Sequence, residues 1–167
     1  WVYRHTGILN FVKADRNGNV YIADTNRTVK KLNPYGVEQW SCSIPNTTGT
    51  VTDLVVNSEG LIIASIAYFH TSGPKDYLVK ISPSGTLVKT MEIGTSGVFR
   101  KLHLWDDRTV LAFNKLYDIN TLRTMCHYNA AKAVFGVHGD FIYGIDSAKI
   151  QTFNKYSGGQ VRLFEVK

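Results

Sequence analysis

The densest group of side chains able to do chemistry lies between Ala67 and Tyr77. The stretch AYFHTSGPKDY offers Tyr68, Phe69 and His70, a Ser-Gly-Pro break, then Lys75 and Asp76. Aromatic faces beside adaptable polar groups make good contacts to proteins, peptides or sugars. These five residues are the candidate partner-binding set, weighed against an exposed loop whose aromatics fold back on the body. Elsewhere the chemical signals are thin. His5, His70, His103, His127 and His138 show no HExxH or paired ligand spacing. Asp15 to Asn19, DRNGN, begins like a calcium loop, but an EF-hand would close on Glu where this chain has Asn26. A hairpin turn is the favoured reading. Cys42 and Cys126 stand far apart, without CxxC spacing, inside strand-like runs. Both are expected as free thiols packed as small apolar groups. The chain contains no GxSxG, no P-loop and no Gly-rich dinucleotide fingerprint. No catalytic residue, metal or cofactor is expected, and a non-enzyme is favoured.

What would position such a loop is a recurring pattern of turns and apolar runs. ILNFVKADRNGNVYIAD (8–24) parallels VTDLVVNSEGLIIASI (51–66), and TVKKLNPYGVEQWSCSI (28–44) parallels YLVKISPSGTLVKTMEI (77–93). Each is strand, polar turn, strand. Asn17-Gly18 is a strong hairpin signal, both residues tolerating positive φ. Pro34 matches Pro83 and Gly36 matches Gly85, proline opening and glycine closing a tight reversal. A third, worn unit runs from Arg100 to Tyr128 and turns at Asp106-Asp107-Arg108 and Asn120-Thr121. A fourth, from Ala133 to Lys167, turns at His138-Gly139-Asp140 and Ser157-Gly158-Gly159. The second-strand cores align as Val20-Tyr21-Ile22, Leu61-Ile62-Ile63, Val110-Leu111-Ala112 and Phe141-Ile142-Tyr143. No 3.6-residue periodicity competes.

Four antiparallel strands recurring at roughly 40 residues define a β-propeller blade, a sheet too small to cover both its faces without neighbours. The fold class is therefore all-β, with about four blades that form part of a larger ring. A two-sheet sandwich is the alternative, but it has no reason to repeat its turn chemistry. The expected boundaries are 1–7 for the outer strand of a preceding blade, 8–46 for blade one and 50–94 for blade two. Blade three is expected over 98–129 and blade four over 133–167. The first assignment rests on WVYRHT, which stands before blade one as WSCSIPN stands before blade two, each opening on tryptophan. Because Gln160 to Val166 supplies an outer strand to the last unit, the count is four units and one extra strand. Such an arrangement is expected to be a piece of a longer ring, two copies completing one, or a small ring with an irregular edge.

The composition suits a globular domain: 44% apolar residues, 19% charged, and a net charge of +6. Basic residues are scattered singly apart from Lys30-Lys31 and Arg100-Lys101, and neighbours along a strand face opposite ways, so no specific nucleic-acid partner is expected. No apolar run reaches the roughly 20 residues of a membrane span. No signal peptide is visible, and the start at Trp1 rather than methionine leads us to expect a processed, excised or partly resolved product.

The repeat D-x-x-G-x-V-Y-x-A followed by V-x-K-L-x-P-x-G-x-x-x-W resembles that of quinoprotein-like (PQQ-like) β-propellers. Asp15, Gly18, Val20, Tyr21, Ala23, Val29, Lys31, Leu32, Pro34, Gly36 and Trp40 carry it. The second unit matches well, the fourth partly and the third poorly. The redox enzymes of that family hold pyrroloquinoline quinone and calcium, yet their vicinal cysteine pair and aromatic floor map onto no residues here. The resemblance implies the non-enzymatic scaffold branch, and the Asn-, Thr-, Tyr- and Gly-rich composition is similar to that of bacteriophage virion proteins. The expected role is a structural or protein-binding module presenting a loop face within a large assembly, in an extracellular or virion-associated setting. Partners are protein chains or a second copy. A lectin-type carbohydrate-binding propeller is the alternative, and a truncated redox domain the second.

Overall fold

The computed structural model describes residues 1–45, 49–68, 73–94, 101–128, 133–146, 149–154 and 156–165. Among them the secondary structure is all-β, in four antiparallel sheets of four strands each. Sheet one holds β1 (Leu9–Ala14), β2 (Val20–Asp24), β3 (Thr28–Leu32) and β4 (Glu38–Ser43). Sheet two holds β5 (Thr50–Val56), β6 (Ile62–Tyr68), β7 (Lys75–Ile81) and β8 (Leu87–Gly94). Sheet three holds β9 (Leu102–Asp106), β10 (Thr109–Ala112), β11 (Lys115–Asp118) and β12 (Thr124–His127). Sheet four holds β13 (Ala133–His138), β14 (Phe141–Asp146), β15 (Lys149–Asn154) and β16 (Gln160–Glu165). In each, strands consecutive in the chain are neighbours in the sheet.

One local rule makes four of the tight turns in sheets one and two. Asp15, Asn33, Asn57 and Ser82 each open a turn whose fourth residue is a glycine at positive φ: Gly18, Gly36, Gly60 and Gly85, between 77° and 86°. In each, the glycine N–H donates to the carbonyl of the opening residue, at 2.9 to 3.1 Å. The opening side chain then takes up N–H groups that the reversal leaves over. Asp15 Oδ1 accepts from the amides of Asn17 and Asn19, Asn33 Oδ1 from Tyr35 and Val37, and Asn57 Oδ1 from Glu59 and Leu61. Ser82, with a shorter arm, accepts from Thr86 alone. Asn17, read as one of two positive-φ residues, does not take that conformation; Gly18 takes it and Asp15 supplies the rest. The later turns opened by Asp118 and Asn154 are one residue longer, with the positive φ at Leu122 and Gly158.

These turns correct the alignment of the units. Val20 pairs with Leu32, and its counterparts by position after the turn are Ile62, Val110 and Ile142. The second and fourth units thus shift by one residue from the apolar alignment. Leu61 and Phe141 occupy the place of Asn19, so side-chain type misled where turn hydrogen bonding decides.

In sheets two and three the second strand is buried and the last strand is open. β6 is buried from Ile62 to Ala67 and β10 throughout, whereas β8 and β12 are largely exposed. The described residues fall into two compact units, 1–100 and 101–167. In the first, Tyr21, Ala23 and Val29 of sheet one pack with Val51, Leu54, Ile62 and Val79 of sheet two, joined by Phe11 and Trp40. Burying a side chain such as Leu54 or Ile62 stabilises by about 1.5–3 kcal/mol. In the second, Leu111, Leu116 and Tyr128 pack with Ile142 and Phe153. Tyr128 meets Phe153 edge-on, with ring centroids 5.8 Å apart. Both cysteines are free thiols, and burial raises the pKa of Cys42, partly offset by its backbone hydrogen bond with Leu87.

Candidate functional site

The β6–β7 hairpin is the longest of the second-to-third-strand ladders. Its pairing runs from Ile62 with Ile81 out to Ala67 with Asp76 and Tyr68 with Lys75, whereas sheet one reverses after Ala23 pairs with Val29. The paired part of the hairpin therefore extends further than its sheet-one counterpart. Tyr68, at the end of β6, is half-buried. Opposite it, Lys75 Nζ donates to Glu92 Oε2 of β8 at 3.1 Å, and this bond raises the lysine pKa. The pair is exposed and contributes little stability, but it fixes where the positive charge stands. Asp76 differs from its expected role: its side chain is buried, at a central-strand position between Ala67 and Gly94. Phe69 and His70 lie outside the described residues. The structure thus pairs Tyr68 with Lys75 across the ladder and buries Asp76 beside them.

The DRNGN segment is a hairpin turn, as expected. The Asp15 carboxylate accepts from the Asn17 and Asn19 amides, from Asn19 Nδ2 at 2.8 Å and from the Tyr21 hydroxyl at 3.1 Å. Burial pushes its pKa up, but these bonds outweigh it and hold the carboxyl below its ordinary range. In return, burial and the Asp15 charge push the Tyr21 hydroxyl well up.

A second cluster is the docking of residues 1–6 on sheet one; this segment, expected as an outer strand, forms no strand, and the sequence reading did not foresee its contacts. Trp1 Nε1 donates to the Pro34 carbonyl at 2.7 Å, and a Cβ placed on Gly36 would lie 2.5 Å from the Trp1 ring. Trp40 repeats this one sheet later: its Nε1 donates to the Pro83 carbonyl at 2.9 Å, and a Cβ on Gly85 would lie 2.6 Å from its ring. Between Trp1 and Gly7, alternate side chains face the sheet. The Tyr3 hydroxyl donates to Glu38 Oε2 at 2.7 Å, Lys30 Nζ donates to the same carboxylate at 3.0 Å, and His5 Nε2 lies 3.3 Å from Asp24 Oδ2. The Tyr3 and Lys30 bonds lower the Glu38 pKa, while burial and Glu38 raise that of Tyr3. The signal was present in the matched Trp, Pro and Gly of the two units, but spacing alone does not say which turn a ring covers.

No family model matches the chain, and no curated protein matches it. Among solved structures it is similar to a protein of unknown function from Bacteroides caccae, at TM-score 0.61 and 12% identity. The match covers 97% of this chain and 62% of that one, so this chain spans less than two thirds of its neighbour's length. At this identity the likeness is one of fold. No described helix is long and apolar enough to cross a membrane.

Proposed function

We propose that the chain is a run of β-propeller blades acting as a non-catalytic scaffold, with the outer end of the β6–β7 hairpin as its contact face for protein partners. The observation that carries this reading is the lengthened β6–β7 ladder, which sets Tyr68 and the Lys75–Glu92 pair beside the connecting segment in sheet two. The meander repeated in four sheets and the matched Trp40–Pro83 and Trp1–Pro34 bonds support the propeller. Such a module belongs in a large assembly, and the composition suits a bacteriophage particle.

Deleting residues 71–74 tests the contact face. The deletion shortens a connection between paired strands, so circular dichroism and Tm are expected to change little. Affinity for partners recovered with the parent chain is expected to fall at least tenfold. Undiminished affinity in a folded deletion would remove the hairpin from the contact face. Saturable binding on a glycan array, lost in the same deletion, would replace protein partners by carbohydrate.

A further inference from the structure

Two unfavourable features meet at Arg27, in the turn between β2 and β3. Its backbone holds φ +63°, a region that glycine enters freely and a long side chain does not. Its side chain is half-buried, and Nε is sealed from solvent with no hydrogen-bond partner among the described residues. The guanidinium makes no ion pair among them either. Asp24, which opens the same turn, is engaged elsewhere: Oδ1 accepts from the amides of Asn26 and Thr28, and Oδ2 faces His5 Nε2 at 3.3 Å. The Arg27 backbone, by contrast, is tied at both ends, its N–H donating to the Asp24 carbonyl and its carbonyl accepting from Ile44. Strained backbone held this firmly clusters at binding sites. A sealed donor that the chain does not satisfy calls for an acceptor from outside it.

The acceptor a guanidinium matches best is an oxyanion, and a planar carboxylate meets its fork with two parallel bonds. A phosphate chain suits the place less well, because it requires several cations together. The next basic residues along the chain are committed: Lys30 is bonded to Glu38, and Lys31 lies over the Tyr21 ring. The turn also stands close to the outer end of the β6–β7 ladder. Ile44 donates to the Arg27 carbonyl, and a Cβ on Gly49 would strike the carbonyl of Ala67, next to Tyr68 and its partner Lys75. The stretch from Ile44 to Gly49 spans at most about 18 Å. One extended segment of about six residues therefore reaches from Arg27 to the end of that ladder.

We infer that Arg27 is a carboxylate-binding residue, and that the protein partner presents an Asp or Glu side chain to it on an acidic segment that runs on toward Tyr68 and Lys75. The inference rests on the contact-face reading for the partner being a protein and for the path of that segment, but not for the carboxylate itself. It accounts for an arginine standing where glycine would be easier: the turn holds the guanidinium in place, and the acid completes its hydrogen bonds.

The Arg27 Nε–H resonance, followed by nuclear magnetic resonance in the whole chain, is the readout. Titration with a capped peptide of alternating Glu and Gly, about eight residues long to cover the span, is expected to shift it saturably. The same peptide with Gln in place of Glu is expected to leave it where it is. Arg27→Lys keeps the charge and loses the fork, and is expected to weaken peptide binding at least about tenfold. Arg27→Gly is expected to melt no lower than the parent yet bind as weakly as Arg27→Lys, so that lost binding is not lost folding. No saturable shift, an equal shift with the Gln peptide, or undiminished binding by the two folded variants would overturn the inference. Inorganic phosphate acting at concentrations about tenfold below those of acetate would overturn it as well, in favour of a phosphate ligand. Acetate reaches Arg27 without the hairpin, so its shift is expected to persist when residues 71–74 are deleted, whichever way that deletion alters partner affinity. The two readings thus fail separately.

Discussion

Gly85→Ala measures how much of the stability of the first unit resides in one ring set over one turn. Two costs add. At φ +86° an alanine occupies a backbone region that costs an L-residue roughly 1–2 kcal/mol. Its Cβ would also lie 2.6 Å from Cγ and Cδ2 of Trp40, inside contact distance, so the indole must move. Trp40 is half-buried, sits 6.2 Å from the Tyr21 ring, and donates to the Pro83 carbonyl. Displacing it loses that hydrogen bond and part of the ring packing, about 1–2 kcal/mol more. The expected total is about 3 kcal/mol, or roughly 6–12 °C in Tm for a chain of this size. Gly60→Ala separates the terms, because Gly60 has φ +82° but its added Cβ would meet only the Pro83 ring, at 3.5 Å from Cβ and 3.9 Å from Cγ. It is expected to cost only the backbone share. Urea denaturation followed by circular dichroism gives both values, and a double-mutant cycle with Trp40→Ala should remove the excess at Gly85 while leaving Gly60 unchanged. Equal losses at Gly85 and Gly60 would refute the interlock, as would an excess that persists without Trp40.

Three further outcomes follow from the same geometry. Ile62→Asp places a carboxylate at a position with no solvent exposure, and a loss of about 4 kcal/mol or more, seen as a missing cooperative melt, is expected. Asp15 and Glu38 have lowered pKa values, so each contributes stability that is present above its ordinary carboxylate range and lost as pH falls through its folded value. Stability measured from about pH 5 down to pH 2 should therefore fall less steeply in Asp15→Asn than in the parent. Arg27 holds φ +63° in the turn between β2 and β3, and Arg27→Gly is expected to raise stability by up to about 1 kcal/mol, read as a higher urea midpoint.

The turns were the most legible part of the sequence because they are made by local chemistry. Asp15, Asn33, Asn57 and Ser82 accept amides a few residues away, and glycine three places on is demanded by φ. Strands between such turns followed directly. Register did not, because an apolar residue may stand at a turn exit as readily as in a core: Leu61 and Phe141 take the place of Asn19. Burial of Asp76 was equally hidden, since its position beside the loop suggested exposure while the length of the β6–β7 ladder put it inside. The docking of Tyr3 and His5 depends on contacts across about 20 to 35 residues, which spacing in one chain does not encode.

The ring over the glycine has a bearing on how such arrays grow. One place after the outer-strand bulge stands Trp40 in sheet one, Lys89 in sheet two and Cys126 in sheet three. A Cβ on Gly158 would lie 2.6 Å from Cys126 Sγ, a much smaller knob for its hollow than the indole at Gly85. The modules are thus keyed rather than generic. A gene rearrangement that moved one of them alone would bring a thiol to a recess shaped for an indole, so duplications that preserve the junction must copy the knob and the following recess as a single inherited piece.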